Sequence, residues 1–293
     1  MAYSTITKPG LHFNTILYTG NNASNRGITG IGFRPDWVWI KKRNNVLGGV
    51  VNDVVRGAGK VIYTSETNAE GTETASFVSF DSDGYTISQD SGVGLNVNGH
   101  TYVGWNWLAG GSAVTNNVGD LTSSVSCNNA AGFSIITWTG DGSGATVGTG
   151  FTGTETISFA TVKKLSTTSE WQTGVYGAYG SNARNFAYHL ELNSTSALSG
   201  SSPYMMGTQT SGDPTKLKLS SEGYVNGVTY VAYVFKPVRG YSKFGTYTGN
   251  GNADGTFVYT GFKPAFVMIK RTDSTGSWYM LDNKRNTFNV VTK

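Results

Sequence analysis

At 293 residues the chain exceeds one ordinary domain, so two or more units are expected. Its 40 glycines, 14% charged and 13% aromatic residues describe a turn-rich β protein, excluding both long helices and a disordered chain. The net charge of +4 lies in scattered pairs, which argues against specific nucleic-acid binding, and the single cysteine, Cys127, excludes an internal disulfide or a Cys-based zinc site.

Residues 1–12 form an N-terminal arm with no basic segment leading into a long apolar run, so no secretory signal is expected. No stretch of the chain reaches the roughly 18 apolar residues of a membrane helix, and no membrane insertion is expected. The first β unit runs over 13–109 and opens with FNTILYTG (13–20). Gly32-Phe33-Arg34-Pro35 then leads into Trp37-Val38-Trp39-Ile40, whose two faces are both apolar, which predicts a central strand. Two strands flank Asp81-Ser82-Asp83-Gly84, a hairpin turn with glycine available for positive φ. The unit closes with Tyr102-Val103-Gly104-Trp105-Asn106-Trp107.

Residues 110–132, rich in Gly, Ser, Asn and Ala, read as an interdomain linker. The second unit, 133–238, repeats the markers of the first. It opens with FSIITWTG (133–140), keeps Gly150-Phe151 and closes with Tyr230-Val231-Ala232-Tyr233-Val234-Phe235. It lacks the Pro of the first unit's Gly-Phe-x-Pro and carries four extra residues before its basic pair. The third unit, 239–293, repeats FGTYTG (244–249), Gly261-Phe262-Lys263-Pro264 and a strand at Phe266-Val267-Met268-Ile269. Units one and three keep a constant offset of 229 from Gly20/Gly249 through Lys41/Lys270. A period above 100 residues marks repeated domains, so the fold class is all-β: tandem antiparallel β-sandwiches of jelly-roll or concanavalin-like type, the third incomplete. The third unit has no counterpart of the closing strand. The expectation is therefore that the chain continues past Lys293 or that another subunit completes the sheet.

No residue set points to catalysis. A glycosidase needs two carboxylates across a cleft, yet no acidic pair recurs between units, and Asp81 with Asp83 fits turn chemistry. The Asp-x-Asp-Gly fragment lacks the other ligands of a calcium loop. His12, His100 and His189 lie far apart, no Gly-x-Ser-x-Gly is present, and the glycines of 140–144 lack the Lys-Ser/Thr of a phosphate loop. No cofactor and no metal are expected. Basic pairs after the central strand recur as Lys41-Lys42, Lys163-Lys164 and Lys270-Arg271. They read either as solvated strand ends or as contacts to an anionic ligand such as a charged glycan. Tyr176 and Tyr179, in a Gly-rich stretch, are candidates for stacking on sugar.

The runs GFRPDWVWIKKR (32–43), SFDSDGYTI (79–87), Trp105-Asn106-Trp107-Leu108-Ala109-Gly110-Gly111 and GYSKFGTYTGNGNADGTFVYTGFKPAFVMIKRTD (240–273) resemble the repeated β domain of structural and tail-fibre-like proteins of marine bacteriophages, cyanophages especially. The resemblance covers essentially the whole chain. It implies a lectin-like β-sandwich and a virion location, in a tail fibre, knob or capsid decoration, with other virion proteins as partners, homo-oligomerisation, and contact with a host glycan or receptor. It carries no catalytic residues, so the chain is expected not to be an enzyme. A phage-borne glycan-degrading enzyme and a purely architectural spacer are the alternatives.

Overall fold

The computed structural model describes residues 4–46, 48–89, 92–178, 185–200 and 204–285. Unit one holds β1 (Phe13–Thr19), β2 (Arg26–Thr29), β3 (Trp37–Lys42), β4 (Val50–Asp53), β5 (Lys60–Tyr63), β6 (Gly71–Thr72), β7 (Phe77–Asp81), β8 (Gly84–Ile87) and β9 (Thr101–Trp107). Antiparallel pairing gives a sheet in the order β1-β9-β3-β4-β5-β6 and a smaller one in the order β2-β8-β7. Unit two holds β10 (Val114–Asn116), β11 (Ser123–Asn128), β12 (Phe133–Thr139), β13 (Thr146–Gly148), β14 (Phe159–Lys164), β15 (Gln172–Val175), β16 (Leu190–Glu191), β17 (Lys216–Lys218) and β18 (Thr229–Phe235). Its main sheet runs β10-β11-β12-β18-β14-β15-β16, with β13 and β17 as a separate pair. The third unit contributes one hairpin, β19 (Phe266–Ile269) and β20 (Tyr279–Asp282). The all-β expectation holds: apart from two 3-10 turns, regular structure among the described residues is strand.

The double-sided apolar character of β3 has a definite cause. Val38 and Ile40 point into unit one's own core with Tyr85, Ile87 and Tyr102. Trp37 and Trp39 point the other way, into a second core shared with Phe133, Ile135 and Tyr233 of unit two. Each main sheet is thus buried on both faces, once by its own unit and once by a neighbour.

The Thr-Gly marker at the end of the opening strand is explained in units one and two by close approach. A Cβ at Gly20 would stand 2.0 Å from the Val97 carbonyl oxygen, and one at Gly140 would stand 2.2 Å from that of Val225. Both carbonyls belong to the Val-Asn-Gly turn before the closing strand, whose Gly99 and Gly227 each have φ of 74°. The first tyrosine of the closing strand then stitches that turn. Tyr102 donates to Gly94 O at 2.8 Å and accepts from Val97 N, while Tyr230 donates to Glu222 O at 2.8 Å and accepts from Val225 N.

One expected boundary is corrected. Residues 110–132, read as a linker, carry β10 and β11, which widen the sheet of unit two. Their polar composition disguised them, because Ser123 donates its hydroxyl to Gly148 O at 3.0 Å and Ser126 to Gly111 O at 2.7 Å. Buried serines bonded in this way cost little in a strand interior.

Candidate functional site

The most elaborate cluster of polar chemistry lies where one unit meets the next, and it occurs more than once. At the first joint the Lys163 ammonium, at the end of β14, donates to Thr67 O of unit one at 2.8 Å and to Ser169 O at 2.6 Å. Ser169 N donates to the same Thr67 carbonyl, Glu70 N donates to Leu165 O, and the Trp171 indole N–H donates to Tyr63 O at 2.9 Å. At the second joint Lys270 donates to Thr195 O of unit two at 3.0 Å and to Gly276 O at 2.7 Å. Gly276 N donates to Thr195 O, Leu198 N to Thr272 O, and the Trp278 indole to Glu191 O at 2.8 Å. Every donor or acceptor on the upper side moves by 107 residues (163 to 270, 171 to 278) and every one on the lower side by 128 (67 to 195, 63 to 191). The two joints are one interface used twice.

A further pair of contacts closes the cycle. The Tyr233 hydroxyl of β18 donates to Asp53 of unit one at 2.7 Å. Its counterpart in β9, the Trp105 indole N–H, donates to Asp282 of unit three at 3.1 Å. Asp282 stands 229 residues after Asp53, and Arg285 likewise after Arg56. Each arginine bonds its own aspartate, and each meets the aromatic donor: Arg56 Nη2 donates to the Tyr233 hydroxyl at 3.3 Å, and the Arg285 guanidinium lies 5.1 Å from the Trp105 ring centre. Unit two therefore docks on unit one, unit three on unit two, and unit one on unit three. Head-to-tail joints of a single kind that return to their start make a ring, here a pseudo-threefold one within a single chain. At its centre Trp37 stacks on Tyr233 with centroids 4.5 Å apart, and Phe266 packs 5.8 Å from Trp105 and 5.5 Å from Phe13.

Electrostatics at the joints follow from burial. For Arg56 burial opposes the charge, but Asp53, Tyr233 and Glu70 outweigh it and hold the guanidinium protonated. Tyr233 is pushed well above an ordinary phenol, first by burial. For Asp282 burial works against ionisation, and the Arg285 backbone and side chain with the Trp105 indole more than offset it, so its carboxyl titrates below the ordinary range. Lys163 has carbonyl and hydroxyl acceptors, and burial pulls it down to about 8.

The residues singled out from sequence are dispersed among these tasks. Lys42 is buried with its ammonium 5.8 Å from the Tyr102 ring centre, Lys41 is half-buried and donates to Lys42 O, and Lys164 pairs with Glu222 at 2.6 Å. Lys163 is sealed inside the first joint. Lys42 and Lys163 are therefore fixtures of packing, and the reading as solvated strand ends is corrected for these two, whereas Arg271 of the third pair is exposed and pairs with Asp273 at 2.7 Å. Tyr176 is half-buried, its backbone N–H bonded to Ser158 O, and Tyr179 lies outside the described residues.

Turn chemistry accounts for the acidic candidates. Asp83 caps Gly30 N and Gly32 N, and those two donors hold its carboxyl below the usual range. Asp81 accepts from Ser79 and Thr86, each at 2.7 Å, and Asp141 accepts from Ser143 N and Gly144 N within its own loop. His12, His100 and His189 bond to Asn128, Asn44 and Ala187 O respectively, each in a different part of the fold. Among the described residues no group of three or more His, Cys, Asp or Glu is placed to hold a metal ion. Sequence reasoning missed Asp53, Arg56, Asp282 and Arg285. The signal was available, since the offset of 229 continues past the basic pair to the Asp-x-x-Arg of both units.

No curated protein and no solved structure matches the chain. A family model does match, over residues 8–293, and the chain accordingly belongs to the family described as domain of unknown function DUF7483.

Proposed function

We propose that this chain is a structural protein of a bacteriophage particle, an appendage or decoration component whose β units serve assembly. The observation that carries the assembly reading is the repeated joint: backbone and side-chain contacts recur at fixed residue offsets and arrange three units around one aromatic core. A molecule organised in this way works by presenting rigid surfaces in a fixed relation. The particle itself enters through the resemblance of the sequence to the repeated β domain of phage structural and tail-fibre-like proteins. Contact with a host glycan, part of the same resemblance, would use residues other than Lys42 and Lys163, which serve packing.

The decisive experiment is cross-linking mass spectrometry on purified particles, followed by a density map of the cross-linked region. Stoichiometric presence, with cross-links to other virion proteins, is expected. Absence of the chain from washed particles would refute the proposal. Release of reducing ends from host polysaccharide by the purified protein would replace it with the glycan-degrading alternative.

A further inference from the structure

The residues that precede the three opening strands correspond through the repeat. Phe13 opens the first strand and Phe133 the second, so His12 answers to Gly132, and the offset of 229 carries His12 to Tyr241. The fold brings these three positions together. The imidazole of His12 meets the Tyr241 ring edge-on, with centroids 6.1 Å apart. Tyr241 N donates to Val238 O at 2.9 Å, and a Cβ on Gly132 would stand 2.9 Å from Val238 Cγ2. His12 therefore sits where the entrances of the three units converge.

Asn128, at the end of β11, ties this point to unit one, and its amide has a single allowed orientation. Oδ1 accepts from Ala131 N at 3.0 Å, while Nδ2 donates to Leu108 O at 3.2 Å. Turning the amide over would set its NH2 against an N–H and its oxygen against a carbonyl oxygen. The other hydrogen on Nδ2 goes to His12 Nδ1 at 3.1 Å. That nitrogen must then offer a lone pair, so the ring is neutral and carries its proton on Nε2. Leu108 N closes the circuit by donating to His12 O at 2.9 Å.

We propose that His12 is a pH-sensitive latch between units: the neutral imidazole holds Asn128 of unit two against unit one, and protonation in mildly acidic solution releases it. An imidazolium has a donor at each nitrogen, so no turn of the ring restores an acceptor for Asn128. The titratable groups around the latch bring no negative charge to offset this. Tyr241, in ring contact, is raised above an ordinary phenol by burial and stays neutral. Along the adjoining segments Lys8 and Arg239 are exposed, Lys236 donates to Thr152 O, and burial pushes the Cys127 thiol up to about 11. Burial also lowers the pKa of His12 itself from 6.5. The folded state thus binds fewer protons than the unfolded chain. Stability through this group is full above 6.5, falls as pH drops towards the folded value, and levels off below it. The latch is independent of the virion reading.

The test uses the 293-residue protein. Imidazole nitrogen chemical shifts should show an unprotonated Nδ1 in His12 at neutral pH and a titration below 6.5. Amide exchange at Leu108 and Ala131, corrected for the intrinsic rate, should quicken at least about tenfold from about pH 7.5 to about pH 5, with its midpoint at the His12 titration. His12→Asn keeps an acceptor near the position of Nδ1 and cannot titrate, so these two amides should hold the same protection at both pH values. His100→Asn should keep the native response. A proton on Nδ1 at neutral pH would overturn the latch, and this reading stands even if His12→Asn fails to fold. Exchange that ignores pH in the native protein, has its midpoint away from the His12 titration, or responds as strongly in His12→Asn would overturn it as well.

Discussion

Tyr233 donates its hydroxyl to Asp53 across 180 residues of chain, at 2.7 Å, in a site where the aspartate is fully buried. The bond joins the closing strand of one unit to the fourth strand of another. Tyr233→Phe should cost about 1–2 kcal/mol, and a double-mutant cycle with Asp53→Asn should show coupling of at least about 0.5 kcal/mol. Chemical denaturation of the four proteins checks this, and strict additivity would mean that the bond contributes nothing to the joint.

The two Asp-x-x-Arg pairs should differ in sensitivity. Arg56 has 2% of its side chain exposed, whereas Arg285 has 26%. Asp53→Asn leaves a buried cation with Glu70 as its remaining acid and should cost about 3–5 kcal/mol, while Asp282→Asn, with its arginine reaching water, should cost about 1 kcal/mol. Reversal of that order in urea melts would contradict the assignment of burial.

Lys163 gives the joint a pH dependence of definite sign. Its folded pKa is pulled down to about 8 from an unfolded value of 10.5, so the folded state binds fewer protons between those values. Stability contributed through this group therefore rises with pH across the window from about 8 to 10.5 and is flat below it. The unfolding free energy of the native protein relative to Lys163→Met should increase by up to about 3 kcal/mol over that range. A flat difference would show that the ammonium is solvated.

Trp37 lies at the meeting point of the rings, 4.4 Å from Trp107 and 4.5 Å from Tyr233 by centroid. Trp37→Ala should cost about 3–5 kcal/mol and should separate the melting of units one and two into distinct transitions. Calorimetry reads both effects, and a single unshifted transition would place the ring outside the core.

The marker glycines make a graded series. Gly20→Val and Gly140→Val force a side chain to within about 2 Å of a carbonyl oxygen and should prevent folding or cost more than about 3 kcal/mol. Gly249→Val should be neutral in the same protein. Three equal effects would mean that the three glycines share ancestry but not structural duty.

Much of the fold was legible because the chain states it more than once. The closing strands at 101–107 and 229–235, the hairpin at Asp81–Gly84 and the double-sided strand at Trp37–Ile40 all stand where pattern places them. Residues 110–132 misled because serine hydroxyls satisfied by backbone carbonyls look, in composition, like a flexible connection. Lysines misled for the converse reason. A basic residue at a strand end reads as solvated, and nothing local to Lys163 announces that Thr67, almost a hundred positions earlier, will supply its acceptor. Contacts between units obey the repeat, but only the arithmetic of offsets exposes them, since no single unit contains both halves of a joint.

Fusing three units into one polypeptide changes what mutation can reach. In a ring of identical subunits any replacement is suffered three times, so no joint can be lost singly. Here Val175 stands at the strand position of Asp53, and Gly49 stands where Trp171 and Trp278 occupy the other units. At the last of these the space is taken by Trp39, whose indole nitrogen would lie 2.5 Å from a Cβ on Gly49. One tryptophan has in effect been exchanged between neighbouring strands, in a single sector of the ring. Covalent linkage thus lets each sector drift under its own selection while its neighbours keep the circle closed, and the outer surfaces of the three are free to become three different tools.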